Sequence, residues 1–186
     1  MISIGLFGFG KTGSMVAREI MNDPDCELKW VMRKSGAEEG EFASTLLGGK
    51  KKQGPIFSAE HVDHESFYRE HPVDVIVDFS SSQGVEYYRA AADQVKVVSA
   101  ISHYEPEDIS ILEELSTRTA VLYSPNITLG VNFLIVASRV LQKIADTADI
   151  EIVEEHFRVK RGKSGTALRI AELLGLCSEE HVNSIR

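Results

Sequence analysis

Two stretches of this chain carry side chains whose types and spacing suit chemistry. One is Gly8-Phe9-Gly10-Lys11-Thr12-Gly13, set between the apolar run Ile2 to Phe7 and the helically spaced Met15, Val16 and Ile20. Strand, glycine turn and helix in that order is the context in which G-x-G-x-x-G holds a dinucleotide. Gly8 makes the tight turn, Gly10 lets the backbone approach the pyrophosphate, and Gly13 lets the helix pack closely on the sheet. The other stretch runs from Glu154 to Ala167 and crowds Arg158, Lys160, Arg161 and Lys163 into six positions of a protein whose formal net charge is -8. As a strand from Ile150 to Lys160, it places Ile152, Glu154, His156, Arg158 and Lys160 on one face and Val153, Phe157 and Val159 on the other, so that Phe157 points at the core. Ser164-Gly165-Thr166-Ala167 then opens the apolar repeat Leu168, Ala171, Leu174, a helix with a hydroxyl residue at its N-cap. An isolated basic run is ordinarily a solvated face, and a lone histidine a structural one. An imidazole, an ammonium and an anion-binding helix start within a few residues point instead to a receptor for a carboxylate or phosphate.

The elements that must position these groups alternate along the chain. A second strand, Glu27 to Met32, ends at Arg33-Lys34, where a nicotinamide-binding fold faces the adenosine ribose. Cations there suit a 2′-phosphate, which favours NADPH over NADH. Ser35 to Gly54 reads as a long connection with one helical turn near Phe42 to Leu47. A short helix, His64 to Glu70, precedes the nearly continuous apolar run Val73 to Phe79, a parallel strand buried on both faces. Phe79 and Ser80 at its end fall beside the cofactor, although Ser80 serves equally well as a helix cap for Gln83 to Ala92. Strands at Val95 to Ala100 and Ala120 to Tyr123 flank a helix at Asp108 to Ser116. The pattern is a Rossmann-like doubly wound parallel sheet over residues 1–129, followed by a small, incomplete α+β substrate domain over 130–186 that begins with a long helix, Asn132 to Thr147. That second stretch is short for an independent core, so the chain is either truncated or completed there by another subunit.

A rival motif overlaps the glycine turn. Gly5 to Thr12 also satisfies G-x-x-x-x-G-K-[ST], and Val75-Ile76-Val77-Asp78 could serve as its acidic strand, the pattern of a nucleoside triphosphatase. Against it, that loop would begin at Gly5 and expose Leu6 and Phe7, which belong in a core. Composition narrows the remaining classes. With 43% hydrophobic residues the chain can bury a core, and no apolar run approaches the roughly 20 residues needed to cross a bilayer. The start has no basic segment ahead of an apolar one, so a cytoplasmic protein is expected, with no membrane partner. An acidic balance argues against nucleic acid as a partner. Cys26 and Cys177 are too few for a disulfide framework, and no metal site is expected.

The residues also carry a resemblance. Glu154 to Ala167 is similar to the E-x-H-H-R-x-K … S-G-T-A signature of the dihydrodipicolinate reductase family. Asp78-Phe79-Ser80 and the stretch Pro125 to Asn132 resemble the family's V-D-F-S and P-N-F-S-x-G-V-N. The resemblance implies NAD(P)H-dependent reduction of 4-hydroxy-tetrahydrodipicolinate in diaminopimelate and lysine synthesis, by a homo-oligomer that is a tetramer in the family. It places His156 and Lys160 as catalytic residues, with Lys160 the proton donor. Arg158, Ser164, Gly165 and Thr166 become contacts to a small dicarboxylate. Around the cofactor it adds Ser99, Ala100, Ser102 and Asn126 to the glycine turn. Three features depart from the family. Its G-T-T-G loop is here Ser99-Ala100-Ile101-Ser102, its second histidine is Phe157, and Arg161-Gly162-Lys163 replaces V-D-A-P. They keep a second reading open, a catalytically weakened relative that binds the dinucleotide as a sensor or assembly partner.

Overall fold

In the computed structural model, which describes residues 1–91, 95–159 and 162–186, the apolar run Ile2–Phe7 forms β1 and the helical repeat Lys11–Asn22 forms α1. There follow β2 (Cys26–Arg33), α2 (Ala43–Leu46), β3 (Ile56–Ser58), α3 (His64–Glu70), β4 (Val75–Asp78), α4 (Gly84–Tyr88), β5 (Lys96–Ser99), α5 (Pro106–Ser116) and β6 (Val121–Tyr123). The six strands make one parallel sheet in the order β3-β2-β1-β4-β5-β6. That order is the doubly wound dinucleotide-binding arrangement, whose direction of winding reverses between β1 and β4 and opens a crevice beyond their C-terminal ends.

The core of this sheet is aromatic and continuous. Trp30, Phe7, Phe67 and Tyr88 pack edge to face, and the Trp30 indole N–H donates to the His71 carbonyl at 3.0 Å, so the buried polar tip is satisfied. Gly5 is required by this packing. It pairs with Trp30 across β1 and β2, and a Cβ added to it would lie 2.1 Å from the indole ring. β3, just beyond the connection read over Ser35 to Gly54, is an element the sequence did not announce. Its three residues are too few to show a period, and it forms because Ile56 and Ser58 bury against β2.

The chain divides by contact into Met1–Ser124 and Pro125–Arg186. The second unit contains α6 (Leu129–Ile144), β7 (Ile152–Glu155), α7 (Gly165–Leu174), α8 (Ser178–His181) and β8 (Val182–Ile185). β7 and β8 are a parallel pair, joined by a crossover through α7 and α8. Ala167, Ala171 and Val182 form a small core, and Gln142 ties α6 to α7 through the Leu174 carbonyl at 2.7 Å. No residue of α6 is buried.

The strand expected over Ile150 to Lys160 stops at Glu155, and its faces are the reverse of the expectation. Glu154 is the buried residue, while Val153, Phe157 and Val159 stand in the open, the last two at 88% and 90% exposure. Past Glu155, among the described residues, only the His156 amide continues the ladder, donating to the Ile185 carbonyl at 3.1 Å. Without a paired strand, alternation no longer directs Phe157 inward.

Candidate functional site

The glycine turn leaves β1 at Gly8, whose φ of +90° is a conformation that glycine adopts without a side-chain penalty. A Cβ there would meet the Phe79 carbonyl at 2.7 Å, so the turn lies flat against the chain leaving β4. Gly13 would drive a Cβ to 2.2 Å from the Gly8 carbonyl, whereas Gly10 has nothing within 4 Å of the corresponding point. Two of the glycines therefore serve packing, and the third faces open space. Gly10 is also the N-cap of α1. It gives the helix no side-chain cap, and the first turn holds no acidic residue. An uncapped N-terminus with exposed Lys11 and Thr12 and a clear approach at Gly10 is suited to an anionic group. Phe9 is half-buried and packs on the core behind the turn.

This geometry removes the triphosphatase reading. Gly5, Leu6 and Phe7 belong to β1, and both apolar side chains are buried. The loop before α1 is only Gly8 to Gly10, too short for the G-x-x-x-x-G-K-[ST] cradle.

Around the turn the other strand ends carry their own contacts. At the end of β2, Arg33 forms an ion pair with Glu38, and Lys34 donates to the Gln83 Oε1 at 2.8 Å. At the end of β4, Asp78 is fully buried and its Oδ1 accepts from both the amide (2.8 Å) and the hydroxyl (2.6 Å) of Ser80. Ser80 thus closes the turn after β4, and the N-cap of α4 is Gln83. Asp78 Oδ2 has no hydrogen-bond partner among the described residues and lies where a Cβ on Gly84 would come within 2.5 Å. Burial pushes the Asp78 carboxyl up to about 6, against the opposing pull of Ser80 and, more weakly, of the nearby Tyr88 hydroxyl. Tyr88 itself sits 3.1 Å from the Tyr104 hydroxyl, which is 2.7 Å from Ser99 Oγ. Burial raises both tyrosines, Tyr104 to about 12. The Ser99 side chain therefore belongs to an internal hydroxyl chain. Of the loop beyond β5, Ala100 is half-buried with its amide on the Asp78 carbonyl at 2.9 Å, and Ser102 is exposed.

In the second unit the buried Glu154 organises the residues read as a substrate site. Its Oε2 accepts from the Ser164 amide at 2.9 Å, and its Oε1 accepts from the Ser184 hydroxyl at 2.6 Å and from Arg186 at 3.4 Å. Burial alone would raise this carboxyl, but those donors outweigh it and hold the group down at about 2. His156 Nε2 lies 3.5 Å from the same carboxylate. Ser164 Oγ accepts from the Ala167 amide at 3.1 Å as the N-cap of α7, and Thr166 donates to Asn126 Oδ1 at 2.7 Å. Gly165 begins the helix and is exposed. Lys163 turns away to the Ser178 carbonyl and Glu179, and Arg158 is exposed. Lys160 and Arg161 lie outside the described residues.

Residues 2–127 match the family described as dihydrodipicolinate reductase, N-terminus. The chain belongs to the dihydrodipicolinate reductase family. It is 31% identical over 163 residues to the 4-hydroxy-tetrahydrodipicolinate reductase of Caldanaerobacter subterraneus subsp. tengcongensis, covering 86% of this chain and 64% of that one. It is 30% identical to the reductase of Rickettsia rickettsii, covering 94% and 64%. The chain thus spans a little under two thirds of the length of these relatives. Among solved structures, a dipicolinate-bound dihydrodipicolinate reductase from a Paenisporosarcina species superposes with a TM-score of 0.62 at 22% identity, over 94% of this chain and 65% of that one. An amine dehydrogenase from Mycobacterium smegmatis gives 0.58 at 15% identity, over 83% and 46%. Both likenesses are of fold.

Within this reductase-family chain, three acidic residues that the sequence reading gave no site role are brought forward by the structure. Asp78 had a visible signal, a carboxylate inside an otherwise apolar strand. Glu154 lay in a stretch already singled out, yet nothing local distinguishes it from Glu155. Glu38 had no signal at all, because its pairing with Arg33 depends on how a loop turns back.

Proposed function

We propose that this protein reduces 4-hydroxy-tetrahydrodipicolinate to tetrahydrodipicolinate with NADPH, or less effectively NADH, in diaminopimelate and lysine biosynthesis. The observation that carries the reading is the open, uncapped glycine turn at Gly10 in a chain whose reductase-family relatives bear that activity in their names. The backbone from Gly8 to Gly13 fits the pyrophosphate of a dinucleotide, with Lys11 and Thr12 at its edge and Phe79, Ser80, Ala100 and Ser102 along the strand ends that would flank the nicotinamide. Arg33 and Lys34 stand where a 2′-phosphate would be read. A bound reduced nicotinamide supplies the hydride.

The second unit supplies the charge chemistry. Hydride addition to a conjugated imine builds negative charge on the substrate, and in this proposal Lys160 neutralises it by donating a proton. Exposed Arg158 provides positive potential for a dicarboxylate, His156 beside Glu154 offers it a ring nitrogen, and the Gly165 and Thr166 amides at the start of α7 hold a carboxylate against the helix dipole. Ser164 takes part through the helix start it caps. Among the described residues no helix is long and apolar enough to cross a membrane, and a cytoplasmic location is part of the proposal. So is a homo-oligomer, tetrameric as in the family. Its support is the apolar surface of the second unit, where Phe133 and Ile144 of α6 are 71% and 76% exposed.

One observation favours the weakened relative instead. The Ser164 amide already donates to Glu154, so that donor does not await a substrate; the hydroxyl accepts from the Ala167 amide and keeps only its own proton to offer. A thermal-shift series with NADPH, NADH and ATP, with and without pyridine-2,6-dicarboxylate, paired with an NADPH-oxidation assay on the dihydrodipicolinate synthase product, decides between the two. Turnover abolished by Lys160→Ala supports the reductase. Tight NADPH binding without turnover supports the sensor.

A further inference from the structure

The ion pair at the end of β2 has a geometry that a chance surface contact would not need. Arg33 is the last residue of the strand beside β1, and the preceding carbonyl, of Met32, accepts from the Gly8 amide at 2.9 Å. Its guanidinium therefore starts from the rim of the glycine turn. Glu38 reaches it from a loop in which Glu38 itself has φ of +64°, the one described residue other than glycine in the left-handed region. That conformation is disfavoured for any residue that carries a Cβ. It is held by staples at the two residues that follow. Glu39 Oε1 accepts from the Ser58 amide at 3.3 Å, its Oε2 lies 2.6 Å from His61 Nδ1, and the Gly40 amide donates to the Ile56 carbonyl at 3.0 Å. The loop is thus fastened to β3 in the one shape that returns a carboxylate to Arg33.

We infer that Glu38 is a specificity-determining residue that competes with the 2′-phosphate of NADPH for the Arg33 guanidinium. The inference rests on the proposal that the glycine turn binds a nicotinamide dinucleotide with its adenosine ribose at Arg33. With NADH, which has no 2′-phosphate, the Arg33–Glu38 pair stays closed and the Arg33 charge stays neutralised. With NADPH, Arg33 exchanges one carboxylate for a phosphate of higher charge and three acceptor oxygens, and the carboxylate is released to solvent. Both side chains are partly exposed, so the pair is weak enough to open. Glu38 therefore lowers the preference for NADPH below what Arg33 alone would confer, and the protein accepts both cofactors.

The test is a double-mutant cycle read by calorimetric Kd values for NADPH and NADH on the intact chain. Glu38→Gln keeps the side-chain shape and removes the competing charge; it should tighten NADPH by about fivefold, the size expected for release from a solvent-exposed pair, and leave NADH within about twofold. Arg33→Ala should weaken NADPH by about tenfold or more and leave NADH unchanged. In the Arg33→Ala background, Glu38→Gln should do nothing further, because Glu38 acts through Arg33. Equal changes for both cofactors in Glu38→Gln, or an unchanged NADPH Kd, would overturn the inference while leaving the dinucleotide site intact. So would a gain of NADPH affinity that survives Arg33→Ala. A wild-type protein that binds neither cofactor would overturn the underlying reading, and the inference with it.

Discussion

Asp78 and Glu154 are the two charged residues buried among the described residues, one in each unit, and they respond to burial in opposite ways. Asp78 draws both of its hydrogen bonds from one residue onto one oxygen, leaving Oδ2 without a donor, and its carboxyl is raised to about 6. Glu154 receives donors on both oxygens from three residues spread along the chain, and it is lowered to about 2. Desolvation raises both, but it weighs far more on the deep-lying Asp78; at Glu154 a weaker desolvation is outweighed by donors on both oxygens. The contrast extends to the units that hold them. The first has a core large enough that an imperfectly satisfied carboxylate can be carried at a strand end beside the proposed cofactor crevice. The second has little core, and Glu154 does for it what apolar packing does elsewhere, fastening β7 to the start of α7 and to β8.

The largest effect expected from this contrast is that of Glu154→Ala. It removes the shared acceptor and leaves the Ser164 amide, the Ser184 hydroxyl and Arg186 without it, at a cost of about 3 kcal/mol. Hydrogen exchange should rise at Ser164 to Ala167 and in β8, while β1 and β4 keep their protection. Equal loosening of both units would break the comparison.

Acid should separate the units next. Folding lowers Glu154 from 4.5 to about 2, so the stabilisation it brings is present above pH 4.5 and is lost as the pH falls through 2. Folding raises Asp78 from 3.8 to about 6, so the native state binds more protons in that window and stability falls as the pH rises through it. Acidification from pH 6 to 4 therefore favours the first unit before the second begins to fail. Denaturation followed at Trp30 and, separately, by exchange at β8 would show the two transitions.

Asp78→Asn should flatten the pH dependence of the first unit between 4 and 6 and stabilise it by about 1–2 kcal/mol at pH 7, because a buried charge is replaced by a neutral amide of the same shape. If the variant instead unfolds, the ionised form holds the turn and the account of Oδ2 is wrong. The smallest effect on stability belongs to Phe133→Ser and Phe157→Ser, below about 0.5 kcal/mol in the isolated subunit since both side chains are exposed. Light scattering should nonetheless show dissociation by Phe133→Ser if α6 buries in an oligomer as proposed, and by Phe157→Ser if that surface reaches past β7.

The strand-turn-helix from Ile2 to Asn22 was legible because everything that shapes it is local: an apolar run, three glycines and a 3.6-residue repeat. Gly5 was read only as part of a competing motif; its actual reason, the indole lying across it, comes from a residue on the neighbouring strand. The charged stretch after Glu154 was legible as a concentration of polar groups and misleading as a strand. Alternation gives the period of a strand and not which of its faces is covered; Glu154 turns inward because Ser164, Ser184 and Arg186 supply donors there, while Val153 on the opposite face stays exposed.

By itself, then, the sequence settles where backbone conformation changes and which runs are apolar enough to be strands, since those depend on a residue and its near neighbours. Only the tertiary structure decides which charges meet. Arg33 finds Glu38 because a stapled loop takes a left-handed turn, and Glu154 finds Ser164, Ser184 and Arg186 because β7, α7 and β8 converge. Hydrogen bonds and ion pairs act over a few ångströms in space, and no spacing along the chain reports that distance.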